Sequence, residues 1–341
     1  ATPFVDQKIC FPNPTGKPYC PLNYDSKFHG VVQMRHALAN SYNIPAVKML
    51  ELNGLEAMIA TASAMGIHSF TDPSRYGLSL TLGGGEVTML EMVEAFGVFA
   101  NMGHRINLHP IIKVTDSRGK TLEEYKPPSS VLVGEKAIPE GVAFIISDIL
   151  SDNGARSAAF GGSSPLNIKG YKVSVKTGTT NDYRDNWTIG YTPSFVVASW
   201  VGNNDNKPLR GVVSGITGAA PIWNQIMKAL LKDTKPETLK KPDSVVGMNI
   251  CTTSGLLPQP VGSPYVCPTR FEYFLKGSLP KGVDPGMTKA FVDKTTNTLA
   301  KEGQTDNVEE RDVSIVTDPT GEKYCATCAP PIEEASPTPT P

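Results

Sequence analysis

The stretch Tyr171-Lys-Val-Ser-Val-Lys-Thr-Gly-Thr179 alternates apolar and polar side chains, which predicts a short β-strand. Val173 and Val175 would face one side of a sheet, and Lys176 would face the other. Gly178 then lacks a side chain at a point where another backbone could approach closely. We therefore expect the end of this strand to form one wall of a binding site.

A second polar element lies far upstream, at Ser41-Tyr42-Asn43, between two predicted helices. The first helix covers residues 31–40, and Pro45 opens the second at its first position. A serine and an asparagine two positions apart on a tight turn can point at one ligand while the flanking helices hold them in place. The alternative is that Ser41 and Asn43 only cap the second helix, as these residue types often do.

The pattern around these two elements predicts a sheet covered by helices. An alternating strand at 187–191 is joined by a hairpin to a nearly continuous apolar run at 195–201. Such a run is typical of a strand buried on both faces, so helices should lie on each side of the sheet. Further predicted elements are a helix opened by Gly83-Gly84-Gly85 with Glu86 at its N-terminus, a hairpin joining 111–116 to 120–125, a helix at 142–150 and a covering helix at 221–231 with Trp223, Ile226, Met227 and Leu230 on one face.

Composition sets limits on the function. The 341 residues are 40% hydrophobic and 19% charged, which suits a large globular domain with appendages. A net charge of -1 makes nucleic acid an unexpected partner. The glycines at 83–85 lack the Gly-Lys-Ser/Thr of a phosphate loop, and nothing in the sequence calls for a cofactor or a metal ion. Because the chain starts inside patterned sequence and has no long apolar run, we expect a fragment whose signal or membrane anchor lies upstream.

Six cysteines fall in three local pairs, and disulfides are the favoured interpretation. Zinc remains an alternative because Cys325-x-x-Cys328 has the spacing of metal ligands, although a second Cys or His pair is missing nearby. Reduced, inert thiols remain a further alternative. Disulfides would place the protein in an oxidising, extracytoplasmic compartment. The three pairs are Cys10 with Cys20, Cys251 with Cys267, and Cys325 with Cys328.

The composition shifts towards Lys, Pro, Thr and Ser from about residue 233. We therefore expect a main domain at 1–233, a small module containing cysteines at 234–285, and an extension with a disordered Pro-rich tail at 286–341.

Several short segments and their order along the chain resemble the transpeptidase domain of class A penicillin-binding proteins over about residues 1–234. The resemblance implies an α/β fold of the α+β type, with an antiparallel sheet flanked by helices on both faces as in serine β-lactamases, plus a small C-terminal extension. The matching segments are Asn23-Tyr24-Asp25, Phe28-His29-Gly30, residues 37–48 around Ser41-Tyr42-Asn43, residues 82–88, Lys176-Thr-Gly-Thr179, Asp185-Asn-Trp187, residues 190–193, and Glu272-Tyr273-Phe274 with Gly277.

The resemblance implies a D,D-transpeptidase that cross-links peptidoglycan stem peptides ending in D-Ala-D-Ala and binds β-lactams. Ser41 would relay a proton, and Asn43 would hydrogen-bond the substrate amide or a catalytic lysine. Lys176 would supply positive charge, and the hydroxyls of Thr177 and Thr179 would bind the terminal carboxylate. Gly178 would leave the strand edge open, and the Thr179 N–H would be one oxyanion donor. The resemblance also implies a location outside the cytoplasmic membrane, an upstream anchor and, in class A proteins, a preceding glycosyltransferase domain.

One departure from the family pattern concerns the nucleophile, which the family carries in Ser-x-x-Lys upstream of the Ser-x-Asn turn. The only matches are Ser117 to Lys120, in a predicted hairpin turn, and Ser278 to Lys281, in a Pro/Gly loop. Neither opens a buried helix, where the lysine could sit one turn beneath the serine. We therefore expect the nucleophile to lie outside this chain and the chain alone to be inactive.

Two other functions stay open. A serine β-lactamase-like hydrolase or a D,D-carboxypeptidase would use the same pocket, although a β-lactamase also needs a base for deacylation, and Glu51 and Glu86 are better explained by helices. A noncatalytic wall-binding or sensor domain would keep the pocket without the serine.

Overall fold

The computed structural model describes residues 1–12, 16–126, 134–180, 183–210 and 214–328 of the chain. Its helices are α1 (Met34–Asn40), α2 (Asn43–Asn53), α3 (Leu55–Ala64), α4 (Met89–Ala100), α5 (Glu140–Ser151), α6 (Ser157–Phe160) and α7 (Ala219–Leu231). Its strands are β1 (Pro3–Asp6), β2 (Gly30–Gln33), β3 (His104–Arg105), β4 (Lys113–Thr115), β5 (Thr121–Glu124), β6 (Glu135–Lys136), β7 (Ser174–Thr179), β8 (Asp185–Tyr191), β9 (Val196–Gly202), β10 (Val245–Cys251), β11 (Thr269–Leu275), β12 (Thr288–Asp293), β13 (Val308–Val313), β14 (Ile315–Thr317) and β15 (Lys323–Cys325). None of the helices in these ranges combines the length and apolar character needed to cross a bilayer.

The central sheet is antiparallel and has the order β7-β8-β9. Lys176 lies opposite Ile189, and Gly178 lies opposite Trp187. A tight connection between β8 and β9 is closed by the Thr192 N–H, which donates to the carbonyl of Phe195. Within the described residues, β7 has a strand on one side only, so its other edge is free to meet a ligand.

Helices cover both faces of this sheet, which confirms the predicted fold class. On one face, Val175 and Val197 pack with Trp223 and Met227 of α7. The Trp223 ring lies so close to Gly190 that a Cβ at that position would come within 2.5 Å of it. Because neighbouring side chains along a strand alternate between faces, Tyr191 points the other way, against α4 and α5.

Several predicted boundaries are wrong in ways that have a physical cause. The first helix begins at Met34 rather than at residue 31, because residues 30–33 pair with β1. The second begins at Asn43 and not at Pro45, which is its third residue. The Gly83-Gly84-Gly85 stretch does not open a helix: α4 starts at Met89 behind a capping box formed by Thr88 and Glu91, so Glu86 lies outside it.

Two predictions about burial are also wrong. In the strand β9 only Val197 and Ser199 are buried, and its other residues are half-buried, so the strand is not buried throughout. On α7, Trp223 and Met227 are buried as predicted, but Ile226 and Leu230 are 41% and 40% exposed. The covering face of α7 therefore runs through Ala220 and Leu231.

All three cysteine pairs form disulfides, Cys10 with Cys20, Cys251 with Cys267 and Cys325 with Cys328. The pairing of Cys325 with Cys328 removes the thiolates that the zinc alternative required. The C-terminal part consists of the antiparallel pairs β10-β11, β12-β13 and β14-β15. The domain boundaries at 233 and 285 stay predictions, and the Pro-rich end of the predicted tail, residues 329–341, lies outside the described residues.

Candidate active site

A direct contact joins the two polar elements singled out in the sequence. The ammonium group of Lys176 on β7 donates a hydrogen bond to the Ser41 hydroxyl at 2.6 Å, across 135 residues of chain. The same ammonium donates to the carbonyl of Thr177 at 2.7 Å. The turn between α1 and α2 and the open edge of β7 therefore form two walls of one site.

The backbone at Ser41 is held in an unusual conformation. Its φ of 62° lies in the left-handed region, which a residue with a side chain adopts only when its surroundings enforce it. The following residue, Tyr42, stacks on the ring of His29 with the centroids 3.9 Å apart. The imidazole of His29 in turn lies 2.6 Å from the buried Asp6 and 3.0 Å from Asp25.

Asn43 is fixed by the segment around residue 22 and not by its own helix. Its side-chain amide donates to the carbonyl of Leu22 at 2.7 Å, and its backbone N–H donates to the Asn23 side chain at 2.8 Å. The N-cap residue of α2 is Tyr42, which makes no side-chain capping bond. Ser41 and Asn43 are thus not the caps of α2, and Ser41 is instead the C-cap residue of α1. Asn23 supplies the missing acceptor from a remote part of the chain.

Lys176 sits in a positive environment that favours loss of its proton. Burial lowers the pKa of Lys176 to about 8, and the nearby positive charge of Arg156 contributes to the same shift. Arg156 is only 3% exposed, and its guanidinium donates to the carbonyl of Val175, the residue before Lys176, at 3.3 Å. A lysine with a pKa near neutrality can both donate and accept a proton during a reaction.

The end of β7 is flanked by a loop that leads into α7. The Gly215 N–H donates to the Thr179 hydroxyl at 2.9 Å, which leaves the hydroxyl proton of Thr179 free to donate to a ligand. A Cβ at Gly215 would come within 2.8 Å of the carbonyl of Gly178 and within 2.8 Å of the carbonyl of Trp187, so the loop requires glycine there. Thr177, Gly178 and Thr179 are half-buried, as expected for the wall of a site.

Four residues that support the site were not identified as site residues from the sequence. Asn23 and His29 stand in segments that resemble the family, and this was the available signal. Arg156 and Gly215 carry no motif that would reveal their position beside Lys176 and Thr179.

Neither match to Ser-x-x-Lys has the setting of a nucleophile. Ser117 lies in the connection between β4 and β5, and Ser278 ends a single 3-10 turn after β11. Neither serine opens an α-helix.

Comparisons with known proteins show which family the chain is similar to. The family model described as penicillin binding protein transpeptidase domain matches residues 11–228, and the model of the penicillin-binding protein 1A C-terminal domain matches residues 241–289. Penicillin-binding protein 1A of Clostridium botulinum is 33% identical over 311 residues, covering 88% of this chain and 36% of the relative. Penicillin-binding protein 1A of Aquifex aeolicus is 33% identical over 236 residues, covering 69% of this chain and 31% of the relative. The chain thus spans about a third of the length of these curated relatives.

Solved structures have the same fold. The crystal structure of penicillin-binding protein 1A from Haemophilus influenzae matches with a TM-score of 0.69 and 27% identity, over 83% of this chain and 45% of that one. The PonA1 protein from Mycobacterium tuberculosis, in a complex with penicillin V, matches with a TM-score of 0.56 and 24% identity, over 66% of this chain and 63% of that one.

Proposed function

The chain belongs to the penicillin-binding protein transpeptidase family, and from this membership we propose that the complete gene product is a D,D-transpeptidase that cross-links peptidoglycan stem peptides and is acylated by penicillins. The observation that carries the proposal is the hydrogen bond between Lys176 and Ser41, because it unites the Ser-x-Asn turn and the Lys-Thr-Gly strand at one point. Serine acyltransferases and β-lactamases of this type carry both elements.

The proposed substrate is a peptide that ends in D-Ala-D-Ala. Its carboxylate would be bound by the positive charge of Lys176 and by the hydroxyl protons of Thr177 and Thr179. The peptide would lie along the free edge of β7, where Gly178 offers no side chain in the way. The Thr179 N–H would donate to the oxyanion that forms on the attacked carbonyl.

The chemistry is an acyl transfer in two steps. A serine oxygen attacks the carbonyl of the penultimate D-Ala, the C–N bond breaks, and the released D-Ala amine takes up the proton that the serine lost. Ser41, which accepts from Lys176, would pass this proton, and Asn43 would hydrogen-bond the substrate amide or the catalytic lysine. In the second step an amine of a neighbouring stem peptide attacks the ester, which restores the serine. A penicillin acylates the same serine, but its amine stays attached to the acyl group after the β-lactam ring opens, so no leaving group departs.

The attacking serine is proposed to come from residues outside these 341. Two observations support this proposal: neither Ser117 nor Ser278 opens a helix, and Ser41 contacts Lys176, as the proposed proton relay would. A fluorescent penicillin tests the point. The complete gene product should form an adduct that survives denaturation, and the 341-residue chain should form none. A stable adduct on the isolated chain would show that one of its own residues is the nucleophile.

The alternatives are separated by the products. With a stem peptide ending in D-Ala-D-Ala and an amine acceptor, the complete gene product should release D-Ala and form dimers. Release of D-Ala without dimers would indicate a D,D-carboxypeptidase, and rapid turnover of nitrocefin would indicate a β-lactamase-like hydrolase. An absence of both adduct and product would indicate a noncatalytic wall-binding or sensor domain.

We also propose an extracytoplasmic location. Three disulfides within the chain support it, because such bonds persist in oxidising compartments. An anchor in the cytoplasmic membrane and a preceding glycosyltransferase domain remain predictions that the complete gene sequence would test.

A further inference from the structure

Both helices that flank the Ser41-Tyr42-Asn43 turn carry a buried cation whose acidic partner comes from the C-terminal part of the chain. Arg35 on α1 is 6% exposed, and Lys48 on α2 is 0% exposed. Glu272 of β11 accepts from Arg35 at 3.0 Å, across 237 residues. Asp318, which follows β14, accepts from Lys48 at 2.8 Å, across 270 residues.

All three donors of the Lys48 ammonium are used. They go to the carboxylate of Asp318, to the carbonyl of Val5 at 2.7 Å and to the carboxylate of Glu322. Burial alone would raise the pKa of Asp318, but the hydrogen bond and charge of Lys48 and the bonds from Thr320 and Val5 outweigh it and lower the pKa. Asp318 is therefore a carboxylate in a closed site, and it is 3% exposed.

A series of hydrogen bonds links Asp318 to the Ser41-Tyr42-Asn43 turn by way of the strand β1. The same oxygen of Asp318, Oδ2, also accepts from the Val5 N–H at 3.2 Å, so both the N–H and the carbonyl of Val5 are held. The next residue, Asp6, accepts from the Asn23 side chain at 2.8 Å. Asn23 then accepts from the backbone N–H groups of Asn43 at 2.8 Å and Ile44 at 3.4 Å.

Arg35 has a comparable role on the other helix. Burial would lower the pKa of Arg35, but bonds and charges from Glu272 and Asp148 outweigh it and raise the pKa. Glu272 is itself 1% exposed, and although burial would raise its pKa, the bonds and charge of Arg35 bring that pKa down to about 2. The guanidinium also reaches Asp152 at 3.1 Å, just after α5.

We propose that Glu272 and Asp318 are positioning residues of the transpeptidase site, which act through Arg35 and Lys48 to hold the Ser-x-Asn turn against β7. The inference rests on the proposed function, because it concerns the same site. Asp318 lies beyond both family matches, which end at residues 228 and 289, so the hairpin β14-β15 gains a role in the site that neither match assigns.

The physical reason is the cost of an unpaired buried charge. When one member of a buried ion pair is neutralised, the other must find water or a new partner. Lys48 is five residues from Asn43 on the same helix, so any shift of Lys48 towards solvent moves the start of α2. The turn would lose its register with Lys176 even though neither Ser41 nor Asn43 had changed.

Hydrogen exchange on Asp318→Asn tests the proposal in the 341-residue chain. The amides of Asn43 and Ile44 should exchange about tenfold faster or more, because the buried ammonium of Lys48 loses its fully buried carboxylate and keeps only Glu322, whose side chain is 28% exposed, while α7 changes by less than about twofold. Asp293→Asn is the matched control: it makes the same chemical change in the extension, where Asp293 accepts from its own turn and from Gln304. Equal exchange at the turn, or an equal rise in α7, would overturn the proposal.

Glu272→Gln extends the test to α1, where the amides of residues 36–41 should exchange faster. If Asp318→Asn does not fold, the double variant Lys48→Met with Asp318→Leu removes both charges together, a change that buried pairs often tolerate. It should fold and still show faster exchange at Asn43, because the Val5 N–H loses its acceptor Asp318 and the Val5 carbonyl loses its donor Lys48. Protection of Asn43 at the level of the unchanged chain would contradict the inference.

A kinetic measurement connects the turn to the reaction. In the complete gene product, Asp318→Asn should slow acylation by a fluorescent penicillin by about tenfold, and Asp293→Asn should leave it within about twofold. An unaltered acylation rate in Asp318→Asn would overturn the positioning role. If the unchanged gene product forms no adduct, the proposed function fails, and the exchange measurement still decides whether these residues hold the turn.

Discussion

The two walls of the site are built differently. The strand wall, Lys176 to Thr179, is placed by backbone pairing with β8, whose first residue follows only a few positions later. The turn wall, Ser41 to Asn43, is placed by side chains from remote segments, among them Asn23, His29 and the partners of Lys48. A backbone ladder tolerates changes in side chains, whereas a set of buried polar contacts does not. We therefore expect substitutions to be most damaging at the functional groups of the strand wall itself, and at the remote buried residues that support the turn wall.

The largest effect is expected at Lys176, the functional group of the strand wall. Lys176→Met in the complete gene product should slow acylation by penicillin by about 100-fold or more, because a positioned proton donor and a positive charge are both lost. The measurement is the rate of adduct formation with a fluorescent penicillin. Lys172→Met is the control, since the Lys172 side chain is 48% exposed and pairs with Asp148 away from Ser41. A loss below about tenfold at Lys176 would contradict the assigned role.

The next effect tests the support of the turn wall. Asn23→Ala should lower the free energy of unfolding by about 2–3 kcal/mol, because the half-buried N–H of Asn43 loses its acceptor and the buried carboxylate of Asp6 loses one of its donors. Urea denaturation measures it. Asn153→Ala removes an amide whose hydrogen bond to Asn167 is exposed to solvent, and it should change the value by less than about 0.5 kcal/mol. Equal values for both variants would mean that the turn does not depend on Asn23.

A smaller effect is expected where the strand wall meets the loop before α7. Gly215→Ala places a Cβ within 2.8 Å of the carbonyls of Gly178 and Trp187, so the loop must move and Thr179 loses the bond from Gly215. Acylation should slow about fivefold to tenfold, the effect of one hydrogen bond to a binding group. Gly162→Ala, at a glycine with open space around it, is the control. A rate equal to that of the control would show that the loop does not position Thr179.

The smallest effect is a shift in pH dependence. The pKa of Lys176 is lowered to about 8, chiefly by burial and further by Arg156, so acylation should decline above about pH 8 as the ammonium loses its proton. Arg156→Gln should move this decline to higher pH, because one positive neighbour is gone. A pH profile of the acylation rate measures both. A decline at the same pH in the variant would exclude Arg156 as a cause.

The lowered pKa of Lys176 also makes the stability of the folded chain depend on pH. The folded-state pKa of Lys176 lies below that of an unfolded lysine, so the unfolded chain binds more protons between about pH 8 and pH 10.5. The contribution of Lys176 to stability therefore rises with pH across this window. Lys176→Met should remove that rise.

The contrast between the walls also explains what the sequence could predict. The strand β7, the hairpin β4-β5 and helix α5 follow from local alternation or periodicity, which needs no distant partner. The start of α1 was misplaced because pairing with β1, about thirty residues earlier in the chain, overrides the helical pattern of Val31. The order of the two motifs and the family resemblance predicted that the Ser41 turn and the Lys176 strand share one site, and the two residues are in direct contact.

The supports of the turn could not be predicted in this way. From the sequence alone, Lys48 would be predicted as a surface lysine on a helix, and Asp318 as a turn residue in a C-terminal segment that contains Pro and Thr. Only folding shows that the two meet in a fully buried site. The cysteine pairs, by contrast, were local in sequence and formed as predicted.

The central claim is that the Ser41 turn and the Lys176 strand act together on one ligand. The most direct measurement is a double-mutant cycle of Ser41→Ala and Lys176→Met on the rate of penicillin acylation by the complete gene product. If the two groups share one proton path, the double variant should be no slower than the worse single variant, a coupling of about 1–3 kcal/mol. If the two slowing factors multiply to within about twofold, Ser41 and Lys176 act independently and the shared site is contradicted.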